Sequence, residues 1–166
     1  MNKIGSQEHA NYIVGGSGLT TDDDEAILVA LRILASRLRN PGGAFSSPSD
    51  VKNFAVLQLA EREHEVFGVM WLDAQNRLMK YAELFYGTIS QAAVYPREVV
   101  KAGLAINAAA AIFIHNHPSG TPQPSRADEV LTNNLKDALA LVDIRVLDHI
   151  VVAHTTGVSF AEMGLL

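Results

Sequence analysis

The sequence predicts an α/β (α+β) domain in which a mixed β-sheet is flanked by helices. Three observations carry that expectation. Segments with apolar residues at helical spacing, each headed by a capping residue or a proline, alternate with short apolar runs of strand length. Two of those runs, residues 66–72 and 111–114, are apolar on both faces, as strands covered from both sides are. Helices and strands interleave in this way when helices pack onto a sheet. With 166 residues, 48% hydrophobic and 19% charged, the chain can bury a substantial core as one domain with an N-terminal extension.

Residues 1–19 hold four of the twelve glycines and little periodic apolar content, and are read as a loose arm. From Asp22 an amphipathic helix is expected: acids lead, Ile27, Leu28, Leu31, Leu34 and Leu38 recur, and arginines close it, so its charges complement the helix dipole. It reads as a packing helix, with partner binding as the other use of such a face. Asn40-Pro41-Gly42-Gly43 stops it. Ser47 as cap, Pro48 at the first position and Asp50 at the third start a second helix running toward Arg62. The strand 66–72 then turns at Asp73–Asn76 and returns as residues 77–84 in a hairpin, with Trp71 and Phe85 as core aromatics. Residues 85–89 have strand composition. Tyr95-Pro96 opens a helix ending near Ile106, with Val99, Val100 and Leu104 facing inward and Asn107 closing it. Further on, residues 144–147 and 149–153 read as two more strands, and 154–157 as a turn.

The most informative stretch is AAAAIFIHNHPSGTPQPSRAD, residues 108–128. Its apolar run carries a strand into His115-Asn116-His117, and strand side chains alternate, so both histidines face one way and Asn116 the other. Half of the chain's six prolines follow within residues 118–124, which excludes a helix or central strand there. Ser125 then caps a helix whose third position is Asp128 and whose apolar positions are Ala127, Val130, Leu131, Leu135, Ala138 and Leu139. Two imidazoles and a carboxylate are three ligands, the number a catalytic zinc uses while keeping a fourth position for water. A structural zinc would close that position, usually with cysteine, and the chain has none. Asp128 can alternatively be read as a capping carboxylate alone.

His115-x-His117, ten residues and then Asp128, with Pro118 after the second histidine and Ser125 three before the aspartate, resembles the metal motif of the JAB/MPN (JAMM) metalloproteases. The wording HNHPSG…PSRAD, with YPREVVK, LVDIRVLDHIVV and SFAEMGLL around it, is similar to the RadC branch. The likeness runs from about Ser46 to the C-terminus, dividing the chain into residues 1–45, an arm and helix, and 46–166, an MPN domain. The resemblance implies the MPN (JAB1-like) fold and one Zn²⁺ per chain held by His115, His117 and Asp128. It further implies that Glu65, at the head of an earlier strand, is the general base, with Glu63 as substitute, and that Ser125 donates to a developing oxyanion. Capping leaves that role open, since a hydroxyl that accepts a backbone N–H still has its own proton. Asn in place of the Ser or Thr common between the histidines of other branches marks the RadC branch. His149 is read as a structural histidine in preference to one that orients a ligand, and His9, His64 and His154 as ordinary histidines.

These residues lead to the expectation of a zinc metallohydrolase, a peptidase cleaving an amide or isopeptide bond by Glu-assisted attack of zinc-bound water. A non-catalytic interaction module in DNA repair or recombination is the alternative. Longer RadC proteins carry an N-terminal helix-hairpin-helix module. About forty-five residues precede the resemblance here, as in short RadC-like proteins of mobile elements and prophages. The net charge of −5 and the scattered basic residues argue against nucleic acid as a strong direct ligand. The substrate expected is a peptide or protein, with no membrane partner. No apolar run approaches a membrane span, and residues 1–20 lack the pattern of an export signal, so a cytoplasmic location is expected.

Overall fold

The structure, a computed structural model, describes residues 21–39, 48–87 and 93–166. The elements in chain order are α1 (Thr21–Arg39), α2 (Pro48–Leu59), β1 (Val66–Leu72), β2 (Leu78–Tyr86), α3 (Pro96–Ala105), β3 (Ala110–Asn116), α4 (Arg126–Ala140), β4 (Arg145–Ala153), β5 (Thr156–Ser159) and α5 (Phe160–Met163). The strands form one mixed sheet in the order β2-β1-β3-β4-β5. Among the described residues only the β3–β4 pair is parallel, and α4 makes the crossover that parallel neighbours require. The predicted mixed sheet flanked by helices is therefore the architecture observed.

Both faces of the sheet are covered, which explains why β1 and β3 are apolar at every position. Val66, Met70, Leu72, Ala110, Ile112, Ile114, Ile150 and Val152 pack against Leu31, Leu34 and Ala35 of α1 and Val51, Phe54, Ala55 and Leu59 of α2. On the opposite face, Phe67, Val69, Trp71, Ala111 and Phe113 pack against Val99 of α3 and Leu135 and Leu139 of α4. Helix α1 thus shares the core of the domain it precedes, as a packing helix. The β1–β2 hairpin turns where expected: the Asp73 carboxylate accepts from the backbone N–H groups of Gln75 and Arg77, both at 2.9 Å.

Several boundaries differ from the sequence reading. The two strands expected at 144–147 and 149–153 are one, β4, because Asp148 does not interrupt it. Its carboxylate accepts instead from the N–H groups of His149 and Ala161 and from the Ser159 hydroxyl, at 2.7, 3.0 and 2.6 Å, joining β4 to the start of α5. The turn at His154 is real, but it closes a hairpin into β5, a short edge strand the pattern did not suggest. Phe85 and Tyr86 finish β2. Leu104, expected inside, is exposed, and so is Val130 among the apolar positions of α4, since α3 and α4 each bury one narrow stripe. The expected Ser47 cap, the stop at Asn40–Gly43, Ile89, the arm and His9 lie outside the described residues, as does the Leu38 side chain.

Helix α3 approaches the sheet closely at Gly103. A Cβ built there would lie 2.8 Å from Ile144 Cδ1 and 2.9 Å from Trp71 Cζ3. Gly103→Val gains helix propensity but overpacks a fixed indole, and the larger effect wins, so stability should fall by about 2 kcal/mol in urea unfolding. Exposed Leu104→Ala, one residue on, should change it by less than about 0.5 kcal/mol.

Candidate metal centre

Strand β3 ends where its sequence stops being apolar. His115 is the last residue on the face shared with Phe113, buried at 2% exposure, and His117 follows just past the strand, its N–H still donating to Val152 O at 2.7 Å. The chain then turns at once: Gly120, at φ 81°, donates to His117 O at 3.0 Å, and the proline-rich loop leads to α4. The geometry delivers Asp128 back to the histidines. His115 Nε2 and His117 Nε2 are 2.9 Å apart, and each lies 3.4 Å from an oxygen of the Asp128 carboxylate. All three expected ligands meet, with their ligating atoms within 4.8 Å of one another.

The donor set can be tested for its fit to a cation. His117 Nδ1 lies 2.8 Å from Thr121 O, an atom that only accepts, so the Nδ1 carries the proton and Nε2 offers its lone pair to the cluster. Two ring nitrogens and a carboxylate converging this closely repel unless a proton or a metal ion stands among them. Two His and one Asp suit a borderline divalent ion, and three protein ligands leave a coordination position open. The Asp128 hydrogen bond raises the His117 pKa against the opposing effect of burial, helped by the Thr121 carbonyl and the charges of Asp128 and Glu65. Burial would raise the Asp128 carboxyl, but the neighbouring imidazoles of His115 and His117 and the Ser125 hydrogen bond outweigh it and hold the group far below the ordinary carboxylate range.

Ser125 is the N-cap of α4, and Asp128 completes a capping box with it. The expectation of a free hydroxyl proton is not met. Ser125 Oγ accepts from Asp128 N at 3.2 Å and donates its proton to Asp128 Oδ2 at 2.6 Å, where the Ser125 N–H also arrives at 2.7 Å. A carboxylate at N3 is the strongest acceptor within reach, so it takes the proton that reasoning from capping alone left unassigned. Glu65 immediately precedes β1, half-buried. Strand periodicity puts it on the face of Phe67, which pairs with His115, and its charge is felt at His117. Glu63 is exposed in the bend before it.

Asn116, predicted to face away from the histidines, does so, and it has a task there. Its carbonyl oxygen accepts from Val66 N at 2.8 Å, and its amide donates to Arg62 O and His64 O at 3.3 and 3.0 Å. One buried amide therefore grips the backbone on both sides of Glu65. His64 contributes this carbonyl, while His154 stands exposed at the β4–β5 turn against Gly120, where any Cβ would lie 2.5 Å from its Nε2. A cavity of about 330 Å³ opens beside His117, bordered by Arg62, Glu63, Asn116 and His154.

The sequence reading undervalued His149 and missed Thr132. His149 is wholly buried, its ring enclosed by Phe67, Phe113 and Phe160, and burial holds its pKa well below the usual imidazole range. Its Nε2 is 2.7 Å from His115 Nδ1 and its Nδ1 2.7 Å from Thr132 Oγ1. The signal available was a histidine within an apolar strand. Its partner depended on the parallel β3–β4 register, which places Phe113 beside His149.

The geometry agrees with what comparison shows. The family model for the RadC-like JAB domain matches residues 45–165. This chain belongs to the RadC-like JAB family. UPF0758 proteins of the same kind are similar along most of its length: one from Methylibium petroleiphilum is 63% identical over 138 residues, covering 83% of this chain and 62% of that protein. One from Dechloromonas aromatica is 62% identical over 124 residues, 74% and 55% of the two chains, and one from Leptothrix cholodnii 56% over 143, 86% and 64%. The chain thus spans less than two thirds of these relatives. The residues that converge here, His115, His117 and Asp128, lie within the matched range. Among the described residues no helix is long and apolar enough to cross a membrane.

Asn116→Leu removes the grip on the loop and leaves the buried Val66 N–H without its partner. Stability should drop by about 1–3 kcal/mol, and amide exchange at Val66 should accelerate more than at Val69 in the middle of the strand.

Proposed function

We propose that this RadC-like JAB domain is a metal-dependent hydrolase that cleaves an amide bond in a peptide or protein, with one Zn²⁺ held by His115, His117 and Asp128. The observation that carries the reading is the convergence of His115, His117 and Asp128 beside the end of a central strand; strand periodicity puts Glu65, just ahead of β1, on the same face. A zinc ion held there would supply Lewis-acid activation of water and of the scissile carbonyl.

The protein's own residues do the rest. Glu65 takes the proton of the attacking water and passes it to the leaving nitrogen, a task for a carboxylate placed close by but outside the ligand set. Its position depends on the Asn116 grip, which orders the backbone at Arg62, His64 and Val66. The Ser125 hydroxyl stabilises the oxyanion once its proton swings from Asp128 Oδ2 toward the substrate. The cavity beside His117 is where a substrate chain would lie. The −5 charge supports a protein ligand in preference to nucleic acid, for which only weak, salt-sensitive binding is proposed.

Metal analysis of protein purified without a histidine tag tests the core of this reading. About one equivalent of zinc is expected after reconstitution, and less than about a tenth would sink the hydrolase in favour of an interaction module. His117→Ala should lose metal and amidase activity together. Glu65→Gln should keep its metal while turnover falls about 100-fold or more; loss of metal as complete as in His117→Ala would make Glu65 a ligand. Ser125→Ala should retain metal and fall between the two, losing an oxyanion donor worth roughly 3 kcal/mol and about 1 kcal/mol of capping.

A further inference from the structure

We infer that Thr132 and His149 form a positioning relay that fixes the proton of His115 on Nδ1, so that Nε2 always presents a lone pair to the metal position. The inference rests on the metal-site reading proposed above and adds two residues to it. Protons along the relay follow from its Thr132 end. At one end the Thr132 hydroxyl lies 2.6 Å from Asp128 O, a backbone carbonyl that cannot donate, so the hydroxyl proton points there. Thr132 Oγ1 is then left only to accept, and the ring nitrogen 2.7 Å away must be the donor: His149 carries its proton on Nδ1. His149 Nε2 therefore bears a lone pair, and across its 2.7 Å contact it accepts from His115 Nδ1–H. Nε2 of His115 is left unprotonated, facing His117 and Asp128.

Two further features suit this role. His149 has Phe67, Phe113 and Phe160 around its ring, with centroids 5.7, 5.6 and 4.7 Å away, a cage that an apolar side chain would fill without any need for partners. A histidine costs more there than a leucine or phenylalanine unless both nitrogens are used, and both are. The relay also begins on the backbone of a ligand. Thr132 sits one turn after Asp128 on α4, so the helix that presents the carboxylate also sets the tautomer of the imidazole opposite it. Orienting partners of this kind commonly account for 10- to 100-fold in metal affinity.

Thr132→Val keeps the shape and removes the hydroxyl, so nothing then holds the His149 proton on Nδ1. The imidazole can turn donor at Nε2, which pushes the His115 proton onto the nitrogen that faces the metal position. Two readouts follow: the His115 tautomer in metal-free protein, from two-bond ¹⁵N–¹H couplings, and Zn²⁺ affinity by chelator competition. Wild type should show the Nδ1–H form alone. Thr132→Val should populate the Nε2–H form and bind zinc about 10- to 100-fold more weakly, and Thr132→Ser should restore both. A Thr132→Val protein with an unchanged His115 tautomer and zinc affinity within about threefold of wild type would overturn the relay. Should that variant fail to fold, His149→Phe, in a cage already built of phenylalanines, reads the same two quantities with the same expected directions. A wild type that takes up no zinc defeats the metal reading itself, whereas the tautomer of its metal-free form still decides whether the relay exists.

Discussion

An aspartate and two imidazoles converge at the end of β3, their ligating atoms within 4.8 Å of one another, with a third imidazole wholly enclosed behind them, and the surrounding architecture answers to that constraint. Isolated polar and charged groups do not survive burial, so each proton and lone pair in the group has to find a complement. His117 gives its Nδ1 proton to the loop at Thr121, Asp128 takes the Ser125 hydroxyl and N–H, and His149 leans on Thr132. What is left without a lasting partner is the small space among two Nε2 atoms and a carboxylate.

The same constraint shapes the fold outside the cluster. The strand that carries the histidines lies at the centre of the sheet, with α1 and α2 on one face and α3 and α4 on the other, so its end is held from both sides. Asn116 turns the second side chain of the HxH motif into a structural tie, and it acts on the face opposite the histidines. One three-residue segment thus sets two histidines of the cluster and orders the backbone on both sides of Glu65. Such economy makes the end of β3 intolerant of change at consecutive positions, each for a different physical reason.

Much of this was legible from local pattern. The alternation of the strand put His115 and His117 on one face and Asn116 on the other, Ser125 and Asp128 formed the capping box their spacing implied, and the two-sided apolar runs became the paired central strands β1 and β3. These features depend on residues near one another in the chain, where backbone geometry dictates which side chains can meet. Family likeness supplied what spacing could not, the expectation that Glu65 belongs with residues fifty positions away.

Only the tertiary structure could decide the rest, because it rests on contacts between distant segments whose register no local pattern encodes. The parallel pairing of β3 with β4 brings His149 against His115, and the crossover through α4 places Thr132 behind both. A histidine in an apolar strand looks alike whether it fills space or steers a ligand until its neighbours across the sheet are known. Asp148 looked like a break in the chain until Ser159 and Ala161 arrived to bind it within one continuous strand. The Ser125 proton was free on paper and is spoken for in space, because hydrogen bonds go to the strongest acceptor within reach and reach is a property of the folded chain. By itself the sequence determined which groups would meet near the metal position; folding determined how their protons are distributed.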